Sequence, residues 1–295
     1  MTNHSASPAL LTVGVPVYNA GRFLERCLRN LCEEDLDYRI VVSDNASTDE
    51  TAEICREFAK TDPRIQYVRH EANMGAEKNF RYLLETADTE LFAWRACDDL
   101  SSPGFFKRLA DGLAGHPSCN LAVGNLTYEV EEGTLPPDHD VPGMLPVDHK
   151  ERRKLLLDSA EVTWFYGVFR RKVLLQRYID ARKAYDYVWS FDPLLILPFL
   201  LEGSVFTDPS VTFTQYVCGG SAARYRPKGV IASSQLVLRF CRHGFAVVDG
   251  MTSMPGQRIK LYADVVRYTN KYGLKFSRIF KRAIFWPYYR LANRL

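Results

Sequence analysis

The chain has 295 residues, of which 46% are hydrophobic and 25% are charged, and its formal net charge at pH 7 is +3. This is the composition of a globular protein with a sizeable core, and the small net charge gives no general argument for a nucleic-acid-binding protein. The seven cysteines include no C-x-x-C pair, which argues against a disulfide framework or a zinc site and favours a reducing compartment. The start of the chain lacks a signal-peptide pattern and the longest apolar run, 193–201, is too short to span a bilayer, so we expect a cytoplasmic protein.

The first hundred residues alternate between strand-like and helix-like patterns. We predict strands at residues 10–17, 38–43, 65–68 and 91–96, and helices at 22–32, 50–60 and 74–87. Strands that alternate with helices of this length indicate a parallel sheet with helices on its faces. The predicted fold class is therefore α/β.

The patterns after residue 100 are less regular. We predict a helix at 103–114, a strand at 120–130 and a proline-containing loop at 133–148, which is either a mobile lid or a disordered surface insertion. Residues 150–220 are predicted to contain a basic helix, a turn at 164–167, an apolar helix after Asp192 and a pair of strands around Phe206 and Phe213. From about residue 227 the pattern is helical.

Two adjacent carboxylates, Asp98 and Asp99, end the fourth predicted strand, and Pro103 then opens a helix. In open α/β sheets, ligands bind at the carboxyl ends of the strands. Two carboxylates at that edge could hold a hard divalent cation against phosphate oxygens. The alternative is a helix N-cap followed by a solvated acid in a turn.

The first two predicted strands also end in residues that could contact a ligand. No G-x-G-x-x-G follows the first strand, so a dinucleotide site of the Rossmann type is not expected. Tyr18 could stack on a base or cover a sugar. Asp44 could accept a hydrogen bond from the N–H of a uracil or guanine ring, or it could be a turn residue. For Asp49 a helix-capping role is favoured.

Four short motifs follow one another in this part of the chain. They are Val15–Asn19, Val42–Thr51, Asn73–Asn79 and Cys97–Asp99 with Pro103. Their order and spacing resemble the family-2 glycosyltransferases of GT-A fold over about residues 9–115. A weaker resemblance to the acceptor half continues to Ala222. The resemblance implies a Rossmann-like, mostly parallel sheet flanked by helices, with a helical C-terminal extension.

The resemblance also implies a nucleotide-sugar donor, usually UDP-linked, and transfer with inversion at the anomeric carbon. In the family, the positions that match Pro16, Tyr18, Asp44 and the Asn73–Gly75 turn contact the nucleotide. Lys78 could meet a donor phosphate or lie on the surface of its helix. The candidate donor-binding residues are Pro16, Tyr18, Asn19, Asp44, Asn45, Asn73, Gly75, Lys78 and Asp98.

Family members use a divalent metal, usually Mn²⁺ or Mg²⁺. Asp98 matches the acid that most directly meets the metal, and Asp99 completes the pair. The chain departs from the common pattern at Ala96 and Ser43, where many members carry an acid. The departure at Ala96 leaves one fewer possible metal ligand and puts metal affinity in question more than metal identity.

A single displacement with inversion needs one general base to deprotonate the acceptor hydroxyl. We predict that Asp192 is this base, since it lies among Trp189, Phe191 and an apolar helix, and apolar neighbours raise the proton affinity of a carboxylate. It also matches the acceptor-side acid of the family. The alternatives are a helix cap for Asp192 and a competing base, Asp186.

Three aromatic residues, Trp164, Tyr166 and Trp189, are tentative acceptor contacts, because sugars stack their C–H faces on aromatic rings. The alternative for each of them is core packing. Residues 275–295 form a basic amphipathic pattern edged by aromatic residues, which suits an anionic membrane surface; the alternative is a C-terminal helix docked on the domain.

Taken together, the sequence predicts a nucleotide-sugar-binding half at 1–115, an acceptor-binding half at 116–225 and a helical region at 226–295. The predicted activity is transfer of a sugar to a saccharide or lipid-linked saccharide, in surface polysaccharide or glycolipid synthesis at the inner face of the membrane, by analogy with the family. A sugar-nucleotide nucleotidyltransferase and a non-catalytic carbohydrate-binding relative are the alternatives.

Overall fold

The structure is a computed structural model that describes residues 10–131, 135–217 and 225–272. The chain divides into two compact units. The sheet unit comprises Met1–Val147, Thr163–Gln176 and Ser204–Cys218, and the helical unit comprises Asp148–Val162, Arg177–Gly203 and Gly219–Leu295. The segment predicted as the acceptor-binding half, 116–225, contributes strands to the sheet unit and helices to the helical unit.

In the described residues, one sheet of eight strands forms the centre of the sheet unit. The strands are β1 Leu11–Val17, β2 Arg39–Asp44, β3 Ile65–Arg69, β4 Leu91–Trp94, β5 Leu100–Ser101, β6 Leu121–Val130, β7 Val168–Arg170 and β8 Val205–Val217. Their order is β3-β2-β1-β4-β7-β6-β8-β5. The first four in this order are parallel, β7 is antiparallel to both neighbours, β8 runs parallel to β6, and β5 is antiparallel to β8. The predicted α/β class is confirmed.

Four helices of the sheet unit follow the predicted pattern. They are α1 Gly21–Cys32, α2 Thr51–Thr61, α3 Ala76–Thr86 and α4 Phe105–Gly115. In α1, Leu24, Leu28 and Leu31 recur at the spacing of one helical face, and all three are buried in the same core as the sheet residues Val13 and Val15. The apolar stripe of the sequence therefore fixes how this helix lies on the sheet.

The predicted pair of strands around Phe206 and Phe213 is wrong, because both residues lie in the single strand β8. Its pairing with β6 shifts register between Gly124 and Asn125, where Asp208 is followed in the register by Thr212. The Asp208 carboxylate accepts hydrogen bonds from the backbone N–H and the hydroxyl of Ser210, at 2.9 and 2.6 Å. The polar residues at this turn resemble those of a hairpin loop, but the turn produces a β-bulge within one continuous strand.

The described residues of the predicted loop at 133–148 contain no helix or strand, as predicted, and they are bonded to the sheet. Thr127 donates to the Asp138 carboxylate at 2.5 Å, and the Val141 N–H donates to Asn125 Oδ1 at 2.9 Å. Thr207 Oγ1 donates to the Pro142 carbonyl at 2.6 Å. Polar groups of β6 and β8 thus hold this segment along the sheet.

The helical unit is built around one apolar helix. Its elements are α5 His149–Ser159, the greater part of α6 Arg171–Ala184, α7 Phe191–Glu202, α8 Val230–Met251 and α9 Pro255–Tyr272. Every residue of α7 from Pro193 to Leu201 is buried, which requires covering helices on all sides. The Tyr268 hydroxyl of α9 donates to the Pro193 carbonyl at 3.1 Å, so α9 is bonded to the start of α7.

Within the described ranges, none of the helices has both the length and the apolar character needed to cross a membrane. Residues 275–295, for which the sequence predicts membrane contact, lie outside the described residues.

Candidate functional site

The carboxyl ends of the parallel strands lie along one edge of the sheet. Val17, the last residue of β1, is paired in register with Asp44, the last residue of β2. β4 lies on the other side of β1 and leads into the turn that carries Asp98 and Asp99. The topology therefore brings three of the four motifs to one edge, where open α/β sheets bind ligands.

The loop after β1 is held by the loop after β2. The Asn19 N–H donates to Ser47 Oγ at 2.9 Å, the Thr48 N–H donates to Asn19 Oδ1 at 2.9 Å, and the Ala20 N–H donates to Thr51 Oγ1 at 2.8 Å. Asn19 has a left-handed backbone with φ of +50°, a conformation that Asn tolerates better than most residues. These bonds leave Tyr18 50% exposed at the rim, so its ring is accessible for stacking.

Asp44 has a different setting from the predicted one. It is fully buried, and its carboxylate accepts hydrogen bonds from the Ser47 N–H at 2.8 Å, the Tyr67 hydroxyl at 2.7 Å and Arg69 at 3.0 Å. Protein donors thus contact both oxygens of the carboxylate that is predicted to accept from a base. In this arrangement Asp44 stabilises the loop that follows β2, through its bond with Ser47.

A chain of amides connects β2 to the start of α3. The buried Asn45 side chain donates to Asn73 Oδ1 at 2.9 Å and accepts from the Met74 N–H at 2.8 Å. Asn73 Oδ1 also accepts from the Gly75 N–H at 2.9 Å. Gly75 has φ of +88°, which only glycine adopts without strain, and the exposed Lys78 follows in the first turn of α3. Asn45 therefore sets the shape of the Asn73–Gly75 turn.

We expect Asn45→Ala to lower the free energy of unfolding by about 1–3 kcal/mol, because it leaves the Met74 N–H without its acceptor and removes one of the two donors to Asn73 Oδ1. Chemical denaturation measures this loss. Gln66→Ala, an exposed amide truncated in the same unit, is the control and should change stability by no more than about 0.5 kcal/mol. Equal stability of both variants would show that the hydrogen bonds of Asn45 with Asn73 and Met74 contribute nothing to the free energy of unfolding.

Asp98 and Asp99 lie side by side in the turn after β4. Asp98 is half-buried and Asp99 is buried, with one carboxylate oxygen accepting from the Tyr216 N–H at 2.9 Å. Burial raises the pKa of Asp98 above its usual value. Burial and the neighbouring Asp98 charge raise the pKa of Asp99 to about 7. Two carboxylates under mutual repulsion in a low-dielectric setting favour an added positive charge.

A buried arginine lies under this turn. Arg95 is completely buried against the rings of Phe106 and Phe213, and its Nη2 donates to Ser101 Oγ at 2.7 Å. Its Nε and Nη1 have no hydrogen-bond partner among the described residues. Burial lowers the pKa of Arg95, yet its charge still acts to lower the pKa of Asp99. Sequence reasoning missed Arg95, although a cation inside an apolar strand was a signal.

Tyr216, near the end of β8, also contacts Asp99, a contact that the sequence did not predict. The Tyr216 hydroxyl donates to Glu131 at 3.1 Å, and Glu131 is ion-paired with Arg22 at 2.5 Å. The Tyr216 ring lies 4.9 Å from the ring of Phe23. The contact between Tyr216 and Asp99 joins residues 117 positions apart, and no local sequence pattern indicates it.

The donor set at this turn fits a hard divalent cation. In the described ranges, no group of three or more His, Cys, Asp or Glu side chains could hold a metal ion. Asp98 and Asp99 nevertheless supply two neighbouring carboxylates, and Mg²⁺ is commonly bound by one or two carboxylates together with waters and substrate phosphates. The two acids are consistent with a metal that shares its ligands with a substrate.

The two candidate bases lie in the helical unit and have opposite settings. Asp192 lies in the first turn of α7, and burial raises its pKa to about 6. The cap residue of α7 is Ser190, so a simple N-cap role for Asp192 is wrong. Asp186 is exposed and ion-paired with Arg239, whose hydrogen bond lowers the pKa of Asp186. Of the two acids, Asp192 has the proton affinity expected of a base.

The three tentative acceptor aromatics are in unlike environments. Trp164 is buried in the sheet unit, so its ring packs in the core and the structure does not support a sugar contact. Tyr166 is half-buried and stacks on Phe213 with ring centroids 5.3 Å apart. Trp189 is half-buried in the helical unit. Core packing therefore accounts for Trp164, while Tyr166 and Trp189 keep partly accessible rings.

Comparison with curated proteins finds relatives that cover part of this chain. Glycosyltransferase GlyA of Streptococcus pneumoniae serotype 4 is 41% identical over 126 residues, which are 42% of this chain and 18% of that protein. The GalNAc(5)-diNAcBac-PP-undecaprenol beta-1,3-glucosyltransferase of Campylobacter jejuni is 27% identical over 166 residues, which are 56% of this chain and 52% of that protein. The chain thus spans about half or less of these relatives.

Solved structures show the same fold. Staphylococcus aureus TarS 1–349 in complex with UDP-GlcNAc has a TM-score of 0.66 at 15% identity, covering 89% of this chain and 73% of that chain. The mannosyltransferase PcManGT from Pyrobaculum calidifontis in complex with GDP-Man and Mn²⁺ has a TM-score of 0.55 at 18% identity, covering 88% and 70%. The expected GT-A fold is confirmed.

The model of the family "Glycosyl transferase family 2" matches residues 12–178, a span that includes the strand-end loops and the Asp98–Asp99 turn. Because this match covers more than half of the chain, the chain belongs to glycosyltransferase family 2.

Proposed function

We propose that the chain transfers a sugar from a nucleotide-diphosphate donor to an acceptor hydroxyl with inversion at the anomeric carbon. The observation that carries this proposal is the Asp98–Asp99 pair at the carboxyl edge of the sheet, with the pKa of both acids raised. A bound cation would offset the repulsion between these two carboxylates. The same cation, placed beside the diphosphate, would stabilise the negative charge that develops as the diphosphate leaves.

The rim of the site supplies the donor contacts in this proposal. The exposed ring of Tyr18 stacks on the base or covers the sugar, and the Asn73–Gly75 turn, which is bonded to Asn45 at the end of β2, contacts the nucleotide. Lys78 is exposed and makes no ion pair with a described residue, so it is available for a phosphate oxygen. TarS with UDP-GlcNAc and PcManGT with GDP-Man, which share the fold, support a nucleotide-sugar donor.

Asp98 and Asp99 would hold Mn²⁺ or Mg²⁺ through carboxylate oxygens, and Asp99 keeps one oxygen on the Tyr216 N–H. When bound, such an ion neutralises the negative charge that develops on the departing diphosphate. The solved PcManGT structure is a complex with Mn²⁺ as well as GDP-Man, which supports the choice of metal. Arg95 and Arg26 add fixed positive charge near Asp99, which lowers its pKa and favours the ionised form that binds a cation.

Asp192 takes the proton of the acceptor hydroxyl in this proposal. A base with a pKa of about 6 is ionised at neutral pH and still basic enough to accept that proton as the hydroxyl attacks. Asp186 is exposed and ion-paired with Arg239, which lowers its pKa, so it is the weaker base of the two. Tyr166 and Trp189 are the proposed acceptor contacts that remain.

For the acceptor, we propose a saccharide or a lipid-linked saccharide in surface polysaccharide or glycolipid synthesis. The name of the Campylobacter relative, which includes an undecaprenol-linked saccharide, supports this class. A cytoplasmic location at the inner face of a membrane, with contact through residues 275–295, goes with such an acceptor. A nucleotidyltransferase would need a free phosphate-binding loop after β1, whereas the N–H groups of Asn19, Ala20 and Gly21 are bonded to side chains of the loop after β2 and of the first residue of α2.

Thermal unfolding with nucleotides tests the donor side. UDP, GDP and dTDP are each added with Mn²⁺ and with a chelator, and we expect one of them to raise the Tm only with the metal. At a ligand concentration about 100 times Kd, binding adds about 2.7 kcal/mol to the free energy of unfolding. Donor hydrolysis with the same nucleotide then separates an enzyme from a binding protein. A Tm that responds to no diphosphate, or responds equally with the chelator, would contradict the proposal.

A further inference from the structure

A groove in the helical unit lies between α5 and α9. It has a volume of about 560 Å³ and adjoins a second cavity of about 400 Å³. We call it the basic groove, and its charged lining residues are Lys150, Glu151, Arg153, Lys154, Lys260, Asp264 and Arg267. It is distinct from the Asp98–Asp99 turn, which belongs to the sheet unit.

Two acids line the groove: Asp264 is engaged by arginines, whereas the exposed Glu151 makes no ion pair with a described residue. Asp264 is within 3.5 Å of Arg153 and 3.3 Å of Arg267. Lys150, Lys154 and Lys260 are exposed and make no ion pair with a described residue. Five cations and two acids line the groove, so its lining carries a net charge of +3 and attracts anions.

An exposed apolar strip adjoins these lysines on α9. Ile259 is 67% exposed and Val266 is 38% exposed, and together with Ala263 they follow the i, i+4, i+7 spacing of one helical face. Ala263 also lines the groove, so the strip and the cations share a border. A soluble phosphate would use the lysines but gain nothing from Ile259, whereas a bilayer interface takes up both the apolar strip and the cations.

We propose that the basic groove and the Ile259 strip dock the helical unit on an anionic membrane surface. The ammonium groups of Lys150, Lys154 and Lys260 bind lipid phosphates, and the side chains of Ile259 and Val266 enter the boundary between headgroups and acyl chains. The following residues, 273–295, contain no acid and six basic residues, so the sequence continues the same charge beyond α9. This inference does not depend on the proposed transfer reaction.

Cosedimentation of the full chain with vesicles tests the proposal. The vesicles are phosphatidylcholine alone or phosphatidylcholine mixed with phosphatidylglycerol, and we expect binding to the mixture only, weakening with salt. The variant Lys150→Gln/Lys154→Gln/Lys260→Gln should lose about 100-fold in vesicle affinity. Ile259→Ser should also weaken binding, by several-fold, because it removes apolar area from the interface.

The matched control is Lys60→Gln/Lys107→Gln/Lys172→Gln, which removes the same charge from exposed lysines outside the groove. It should bind within about twofold of the unmodified chain if the position of the charges matters. Unchanged binding by the groove variant, equal losses in both triple variants, or complete competition by glycerol phosphate without an Ile259→Ser effect would each overturn the proposal. The nucleotide-induced Tm shift should be the same in all these variants, so this test and that of the proposed function can fail separately.

Discussion

Asp98→Asn is expected to abolish the metal-dependent Tm shift with the nucleotide diphosphate and to lower sugar transfer by at least about 1000-fold. The substitution keeps the shape of the side chain and removes the charge of the carboxylate that lies nearer the rim, since Asp98 is half-buried and Asp99 is buried. Calorimetric titration with the nucleotide and Mn²⁺ measures the binding, and product formation measures the transfer.

The same substitution should leave the metal-free protein at least as stable as before. The pKa of Asp99 in the folded chain, about 7, lies above its unfolded value, so the folded state holds a proton that the unfolded state has released. The stability that this group contributes is therefore lost as pH rises from about 4 through 7. Removing the Asp98 charge lowers the pKa of Asp99 and reduces that loss.

Asp37→Asn, at an exposed loop position of the same unit, is the control for Asp98→Asn and should change neither binding nor transfer. An Asp98→Asn protein that still needs Mn²⁺ and binds the nucleotide with unchanged affinity would contradict the assignment of Asp98. A variant that simply unfolds would be recognised by the loss of its thermal transition, an outcome that the raised pKa of Asp99 argues against.

Asp192→Asn is expected to keep metal-dependent nucleotide binding and to lower the rate of transfer by about 10²- to 10⁴-fold. In the unmodified protein the rate should fall about tenfold per pH unit below a pKa near 6, because burial raises the pKa of this carboxyl and the protonated acid cannot accept the acceptor proton. The variant should lose this limb of the profile. Steady-state rates with saturating donor across pH measure both effects.

Asp186→Asn is the matched control, since Asp186 lies six positions earlier, is exposed and is paired with Arg239. It should transfer at nearly the unmodified rate, with the same acid limb. If Asp186→Asn loses transfer while Asp192→Asn retains it, the base has to be reassigned. If both variants keep their rates, neither acid deprotonates the acceptor.

The long periodic elements of the fold were predictable because each of them has a repeated apolar pattern. In α1, Leu24, Leu28 and Leu31 mark the buried face in the sequence and are buried in the structure. The two- and three-residue strands β5 and β7 were missed because they are too short to show a period. The tie between Asn125 and Val141 was missed for another reason: an amide that bonds a distant backbone leaves no local pattern.

In the candidate site, too, features with a local sequence pattern were predictable and long-range contacts were not. The position of Asp98 and Asp99 was predictable because an apolar strand ends shortly before them; β4 ends at Trp94, and its parallel pairing with β1 puts the acids at the carboxyl edge of the sheet. The local sequence does not show whether a carboxylate contacts a ligand or other protein groups, because its partners can be distant along the chain. Asp44 accepts from Ser47, Tyr67 and Arg69, and two of these partners lie more than twenty residues away.

A crystal of the chain grown with Mn²⁺ and the nucleotide diphosphate that raises the Tm would show whether the Asp98–Asp99 turn holds the metal. Anomalous scattering at the manganese edge locates the metal without reference to the nucleotide. We expect a single strong peak between the Asp98 carboxylate and the diphosphate, with the base of the nucleotide beside Tyr18. A diphosphate bound elsewhere, or bound at this edge with no manganese at the aspartates, would contradict the proposed site.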